Sequence, residues 1–129
     1  MTPNARGHVL VVEDDPSVRV IATALLVRQG YRVIEAADGI EACGIVRERA
    51  EDLDLVIMDV VMPRKGGVEA AREMATVRPD LPIVLCTGYS DSGLPEFVEG
   101  DDRWHVLQKP FGTEELLRAV TRALAVPAA

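Results

Sequence analysis

Four short stretches of this chain carry side chains that could do chemistry together. Glu13, Asp14 and Asp15 follow the apolar run "HVLVV", and Asp59 closes the run "LDLVIM". Thr87-Gly88 follows "LPIVLC", and Lys109-Pro110-Phe111 follows "WHVLQ". Carboxylates act as nucleophiles, bases or ligands for hard cations, and a lysine beside them offsets the charge of an anion. Each stretch alone has a plainer reading: "EDD" as a capped helix start, Lys-Pro as a loop, Asp59 as a turn residue. Their shared position, directly after an apolar run, needs a reason, because a carboxylate at the end of a buried strand is costly unless it is paired or reactive.

The elements that must position them alternate between two periods. "HVLVV" (8–12) is short, continuous and β-branched, as a strand covered on both faces would be. Asp15-Pro16 supplies an N-cap and a first-turn proline, and Val18, Ile21, Ala22, Leu25 and Leu26 then recur at helical spacing up to Gly30. A second strand is predicted over 31–36 and a third over 53–58. A helix opens at Asp38-Gly39 with Ala42, Ile45 and Val46 inside, and another at Gly66-Gly67 with Val68, Ala71, Met74 and Ala75. Strands four and five are predicted over 81–86 and 104–108. Thr113 is expected to cap a last helix with Glu114 and Glu115 in its first turn and Leu116, Leu117, Val120 and Leu124 toward the core. Between these strands, "SDSGLPEFVEGDDR" (90–103) holds Gly93, Pro95 and Gly100 and allows a fourth helix of two turns at most.

Five β–α units with buried strands imply an α/β fold: a doubly wound, five-stranded parallel sheet, flavodoxin-like, with five helices on its two faces. Ligands in such sheets bind beyond the carboxyl ends of the strands. With strand order 2-1-3-4-5, Glu13, Asp14 and Asp59 converge on one rim with Thr87 and Lys109 beside them. Three neighbouring carboxylates repel unless a cation joins them, and an all-oxygen donor set favours Mg²⁺.

Composition narrows the functional classes. The 129 residues suit one domain, expected to occupy 1–129 with its core over 8–125. Net charge is -7, which argues against nucleic-acid binding. No apolar run approaches the ~20 residues of a membrane span, and "MTPNARG" is too short and polar for a signal peptide. Cys43 and Cys86 sit in apolar patterns as small core residues with free thiols, so a cytoplasmic protein is expected.

The motifs "VLVVEDDPSVR", "DLVIMDVVMPRKGG", "RPDLPIVLCTGYSD" and "LQKPF" closely resemble those of receiver domains of bacterial two-component response regulators, over residues 8 to 125. "ARGHVLVVEDD" and "TGYSD" resemble receivers at the C-terminus of hybrid histidine kinases, or stand-alone receivers. The resemblance implies that Asp59 accepts a phosphoryl group and that Glu13, Asp14, Asp59 and the Val61 carbonyl hold Mg²⁺. It further implies that Thr87 is the switch hydroxyl and that Lys109 contacts the phosphoryl group. The donor would be a histidine kinase or a histidine phosphotransfer domain. The chain would be a phosphoacceptor switch rather than an enzyme, a monomer when unphosphorylated, with its partner face formed by residues 91–103, the fifth strand and the last helix. Residues 91–103 are expected to be its most mobile part.

Two departures from the family pattern stand out. Val106 occupies a position that usually holds Tyr or Phe, and "RKGG" brings cations to a rim that is usually acidic or polar. Val61 and Tyr89, two residues after Asp59 and Thr87, offer no amide or carboxylate to orient a hydrolytic water, so a long-lived phosphoryl state is expected. Two other readings share parts of this pattern. An FMN-binding flavodoxin-like protein needs a hydroxyl- and glycine-rich loop after strand one, where this chain has "EDDPS". An Asp-nucleophile phosphatase places a second Asp two residues after the first, where this chain has Val61.

Overall fold

The computed structural model describes residues 7–88, 104–109 and 111–125. Continuous aliphatic runs form the strands β1 (His8–Val12), β2 (Arg32–Ala36), β3 (Leu55–Asp59), β4 (Ile83–Thr87) and β5 (Trp104–Gln108). They pair in parallel in the order β2-β1-β3-β4-β5, as expected. The helices α1 (Pro16–Arg28), α2 (Gly39–Arg49), α3 (Gly67–Val77) and α4 (Thr113–Ala125) cover the sheet. A 3₁₀ turn (Ala50–Asp52) follows α2. These four are the α-helices among the described residues. The short helix expected within 90–103, and the mobility expected of 91–103, lie outside them. No helix of the described residues is long and apolar enough to cross a membrane.

Side-chain alternation along the strands divides the core into two layers. Leu10, Val56, Met58, Ile83 and Leu85 meet Ala42, Cys43 and Val46 of α2 and Ala70, Ala71 and Met74 of α3. On the opposite face Val9, Leu55, Ile57, Val84 and Leu107 meet Ala22 and Leu26 of α1 and Leu116, Val120 and Ala123 of α4. A buried Leu, Val or Ile contributes ~1.5–3 kcal/mol, so these layers carry the fold and leave the strand ends free for polar work.

Four local expectations need correction. Strand β3 runs to Asp59 rather than Met58, so the carboxylate belongs to the strand itself, paired in register with Cys86. Asp54, expected inside that strand, precedes it, and its carboxylate accepts the His8 N–H at 2.8 Å. Thr113 is already helical, and the Glu115 carboxylate accepts the preceding Gly112 N–H at 3.0 Å. Ile21, predicted to face the core, is 62% exposed, because α1 settles through Ala22 and Leu26 and leaves Ile21 at the edge of its contact.

The start of α3 leans directly on the end of β3. The Gly67 N–H donates to the Val60 carbonyl at 2.8 Å. A Cβ on Gly67 would stand 2.8 Å from the Val60 Cα and closer still to the Asp59 carbonyl. Backbone cannot yield as a flexible side chain can. We therefore expect Gly67→Ala to cost ~2 kcal/mol or more in chemical denaturation. A loss under ~0.5 kcal/mol would show that α3 can move away freely.

Candidate functional site

The carboxyl ends of β1, β3, β4 and β5 meet at one rim. Glu13 follows β1 directly, its N–H donating to the Ala36 carbonyl at 3.1 Å, which carries the β1–β2 ladder one residue further. Its side chain is buried, and one oxygen accepts the Asp15 N–H at 3.1 Å. Asp14 is exposed. Asp15 caps α1 through the Ser17 N–H at 2.9 Å, as its sequence context predicts. Asp59, the last residue of β3, is buried. Glu13, Asp14 and Asp59 each bring an oxygen within 4.8 Å of the others.

Lys109 closes this cluster. Its ammonium lies 3.1 Å from Asp59 Oδ2 and 3.3 Å from Glu13 Oε1. Its backbone N–H donates to the Thr87 carbonyl at 2.7 Å, so the lysine is anchored to the end of β4 as well as charge-paired. Thr87 itself is buried. The structure thus brings Glu13, Asp14, Asp59, Thr87 and Lys109 to one place. Val61 lies two residues beyond β3 and is 65% exposed.

The electrostatics follow from burial and neighbours. Burial raises the Glu13 pKa above its ordinary 4.5, and Asp59 raises it further, while the Asp15 N–H and Lys109 pull it down. Burial works against the charge on Lys109, but the hydrogen bond and charge of Asp59, with those of Glu13, outweigh it and raise the ammonium pKa. The Cys86 thiol, beside Asp59 in register, is pushed up to about 12, chiefly by burial and then by the Asp59 charge. It is a neutral core residue, as expected of it.

Two features escaped the sequence reading. Arg19 reaches back from α1 to donate to the Glu13 carbonyl at 2.6 Å and to Glu35 Oε1 at 3.1 Å, bracing the turn that carries the acids. An arginine one turn into the helix that follows an acidic cluster is the signal that could have revealed it. The cations of "RKGG" are not a free rim: Arg64 pairs with Asp38 and Lys65 with Glu73. Val106, at the position usually aromatic, is 47% exposed. Tyr89 lies outside the described residues. A groove of about 630 Å³ opens beside Lys109, walled by Val18, Ile21 and Leu25 of α1 and by Phe111 and Leu116.

The arrangement suits a hard cation and an acceptor carboxylate: three oxygen donors from two adjacent strand ends, one lysine, and no sulfur or imidazole among them. Residues 9–121 match the family model of the response regulator receiver domain. The chain is 35% identical over 116 residues to the sensor kinase CckA of Brucella abortus, covering 90% of this chain and 12% of that protein. It is 37% identical over 118 residues to the transcriptional regulatory protein PdtaR of Mycobacterium tuberculosis, covering 91% of this chain and 56% of that one. It therefore spans only part of either relative. The receiver domain from the hybrid histidine kinase CckA superposes with a TM-score of 0.76 at 33% identity, over 92% of this chain and 99% of that one. The FMN-binding and phosphatase readings fall away with these matches. The chain belongs to the response regulator receiver domains, the phosphoacceptor domains of two-component signalling.

Proposed function

We propose that Asp59 is the phosphorylated residue, with Glu13, Asp14, Asp59 and the Val61 carbonyl holding Mg²⁺, and that residues 8–125 act as one receiver unit. The observation that carries this is the position of Lys109, within 3.3 Å of both Glu13 and Asp59 at the mouth of a three-carboxylate cluster. Bound Mg²⁺ would offset charge on the phosphoryl oxygens and on the carboxylates together. The chain's own residues do the rest. An Asp59 oxygen attacks phosphorus, and an O–P bond forms as the donor's N–P bond breaks. The imidazole leaves with that electron pair and takes up a proton. Lys109 steadies the developing negative charge, and Thr87, at the neighbouring strand end, hydrogen-bonds the new phosphoryl oxygens and serves as the switch hydroxyl.

The phosphodonor is a histidine kinase or a histidine phosphotransfer domain, presented by a protein. The groove beside Lys109 supports this, since its apolar walls run from the rim along α1 and α4 and give a partner a place to seat next to the acceptor. The partner face expected around residues 91–103 lies outside the described residues.

Asp59→Asn keeps the size and polarity of the strand end. We expect it to fold normally by circular dichroism and to take up no phosphate from acetyl phosphate with Mg²⁺. Incorporation at the wild-type rate would move the acceptor elsewhere.

Glu13 makes metal-free stability pH-dependent in a definite sense. Its folded pKa is raised, so its contribution is fully present below about 4.5 and is lost as pH rises through the folded value. We expect metal-free Glu13→Gln to melt a few degrees above wild type at pH 7, with the gap closing toward pH 4. Mg²⁺ should stabilise wild type and do much less for the variant. A gap that widens on acidification would contradict the burial of this carboxylate.

Hydrolysis needs a water held in line opposite the Asp59 oxygen. Val61 offers that water no hydrogen bond. Val61→Asn should shorten the lifetime of the phosphoryl state about tenfold, within the range of a water-positioning effect. Phosphate release timed after desalting reads this directly, and a wild-type half-life of seconds would defeat the expectation of a slow reset.

A further inference from the structure

The loop between β3 and α3, residues 60–66, follows a path that no hydrophobic run dictates. Arg64 sits in it at φ 68, the left-handed region that a residue with a side chain enters only where its surroundings hold it there. Two consecutive residues supply that hold. The Arg64 guanidinium donates to Asp38 Oδ2. Asp38 is 3% exposed, and its other oxygen caps α2 by accepting the Glu41 N–H at 2.9 Å. Lys65 turns the other way, to Glu73 of α3, which also takes Arg47 of α2. Backbone meets backbone at the same point: a Cβ on Gly39 would lie 2.5 Å from the Lys65 carbonyl. At its origin the loop is pinned again, because the Val60 N–H donates to the Cys86 carbonyl at 3.0 Å and the Gly67 N–H closes onto the Val60 carbonyl.

Val61 lies between these two anchors. We infer that the Asp38–Arg64 pair is a strap that presets the β3–α3 loop for metal binding, making Asp38 and Arg64 positioning residues for a site that neither touches. The inference rests on the proposed metal set, in which Val61 contributes its carbonyl. Backbone carbonyls make useful ligands when the chain that carries them is already in place, since a mobile loop loses entropy on binding. A buried carboxylate at the N-cap of α2 and an exposed arginine on the loop achieve this across 26 residues of sequence.

The test uses the whole chain and Mg²⁺ alone, with affinity read by calorimetry and by the dependence of melting temperature on Mg²⁺. Asp38→Asn keeps an N-cap for α2 and removes the charge. Arg64→Gln removes the cation from a residue whose side chain is 67% exposed, so folding is retained. Each should weaken Mg²⁺ binding by about tenfold, the lower end of what partners of ligand-bearing groups deliver. The double variant should bind no more weakly than the worse single, because both changes cut one strap. Melting temperatures that fall while Mg²⁺ affinity stays within about twofold of wild type would overturn the strap and leave the metal site standing. Losses that add in the double variant would overturn it too, since the residues would then act separately. A wild type that binds no Mg²⁺ would overturn the metal site and the strap with it.

Discussion

Everything at the rim depends on holding like charges together. Glu13, Asp14 and Asp59 bring oxygens within 4.8 Å of one another, and two of the three residues are buried. At that spacing each pair repels by a few kcal/mol at an effective dielectric near 20. Hydrophobic burial elsewhere must exceed this, and the two aliphatic layers flanking the sheet do so. Strand β3, which ends in Asp59, is buried at every residue, and β1, which leads into Glu13, is buried at all but His8, so these two acids are held at the ends of rigid strands and cannot drift apart to relax. Lys109 relieves the repulsion in part. The remaining negative charge is of the kind that a divalent cation would offset.

How legible this was from sequence depends on the range of the interaction concerned. Strands β1 and β5 and the starts of α1 and α2 follow from local patterns: aliphatic runs, Asp-Pro and Asp-Gly. The convergence of Glu13, Asp59, Thr87 and Lys109 follows from one further step, the strand order. Boundaries were less legible. Strand β3 ends at Asp59, where parallel pairing with β4 extends to Cys86, but it begins at Leu55 rather than Leu53, because Asp54 turns to accept the His8 N–H. The exposure of Ile21 shows the same limit, since helical period marks a face but not how far a neighbour extends to cover it.

Long-range polar contacts between elements left no trace in any period. Asp38–Arg64 and Arg47–Glu73 each join residues 26 apart, and Arg19 joins Glu13 to Glu35 across α1. Charge alone made "RKGG" look like a basic rim. The structure shows Arg64 and Lys65 committed to Asp38 and Glu73 instead. Sequence can count such charges, but only tertiary contact decides which are free to meet a partner.

Lys109 connects the charge at the rim to the backbone behind it. Its ammonium answers Glu13 and Asp59, while its own N–H donates to the Thr87 carbonyl at 2.7 Å. A change in charge at Asp59 therefore bears on a residue hydrogen-bonded to the end of β4 and seated at the end of β5. An aromatic ring at position 106 would offer a second route along β5. Val106 is too small to supply one and lies 47% exposed beside Leu85 in register. Among the described residues, Lys109 thus links the acidic rim to the ends of β4 and β5, and it does so at the edge of the groove along α1 and α4.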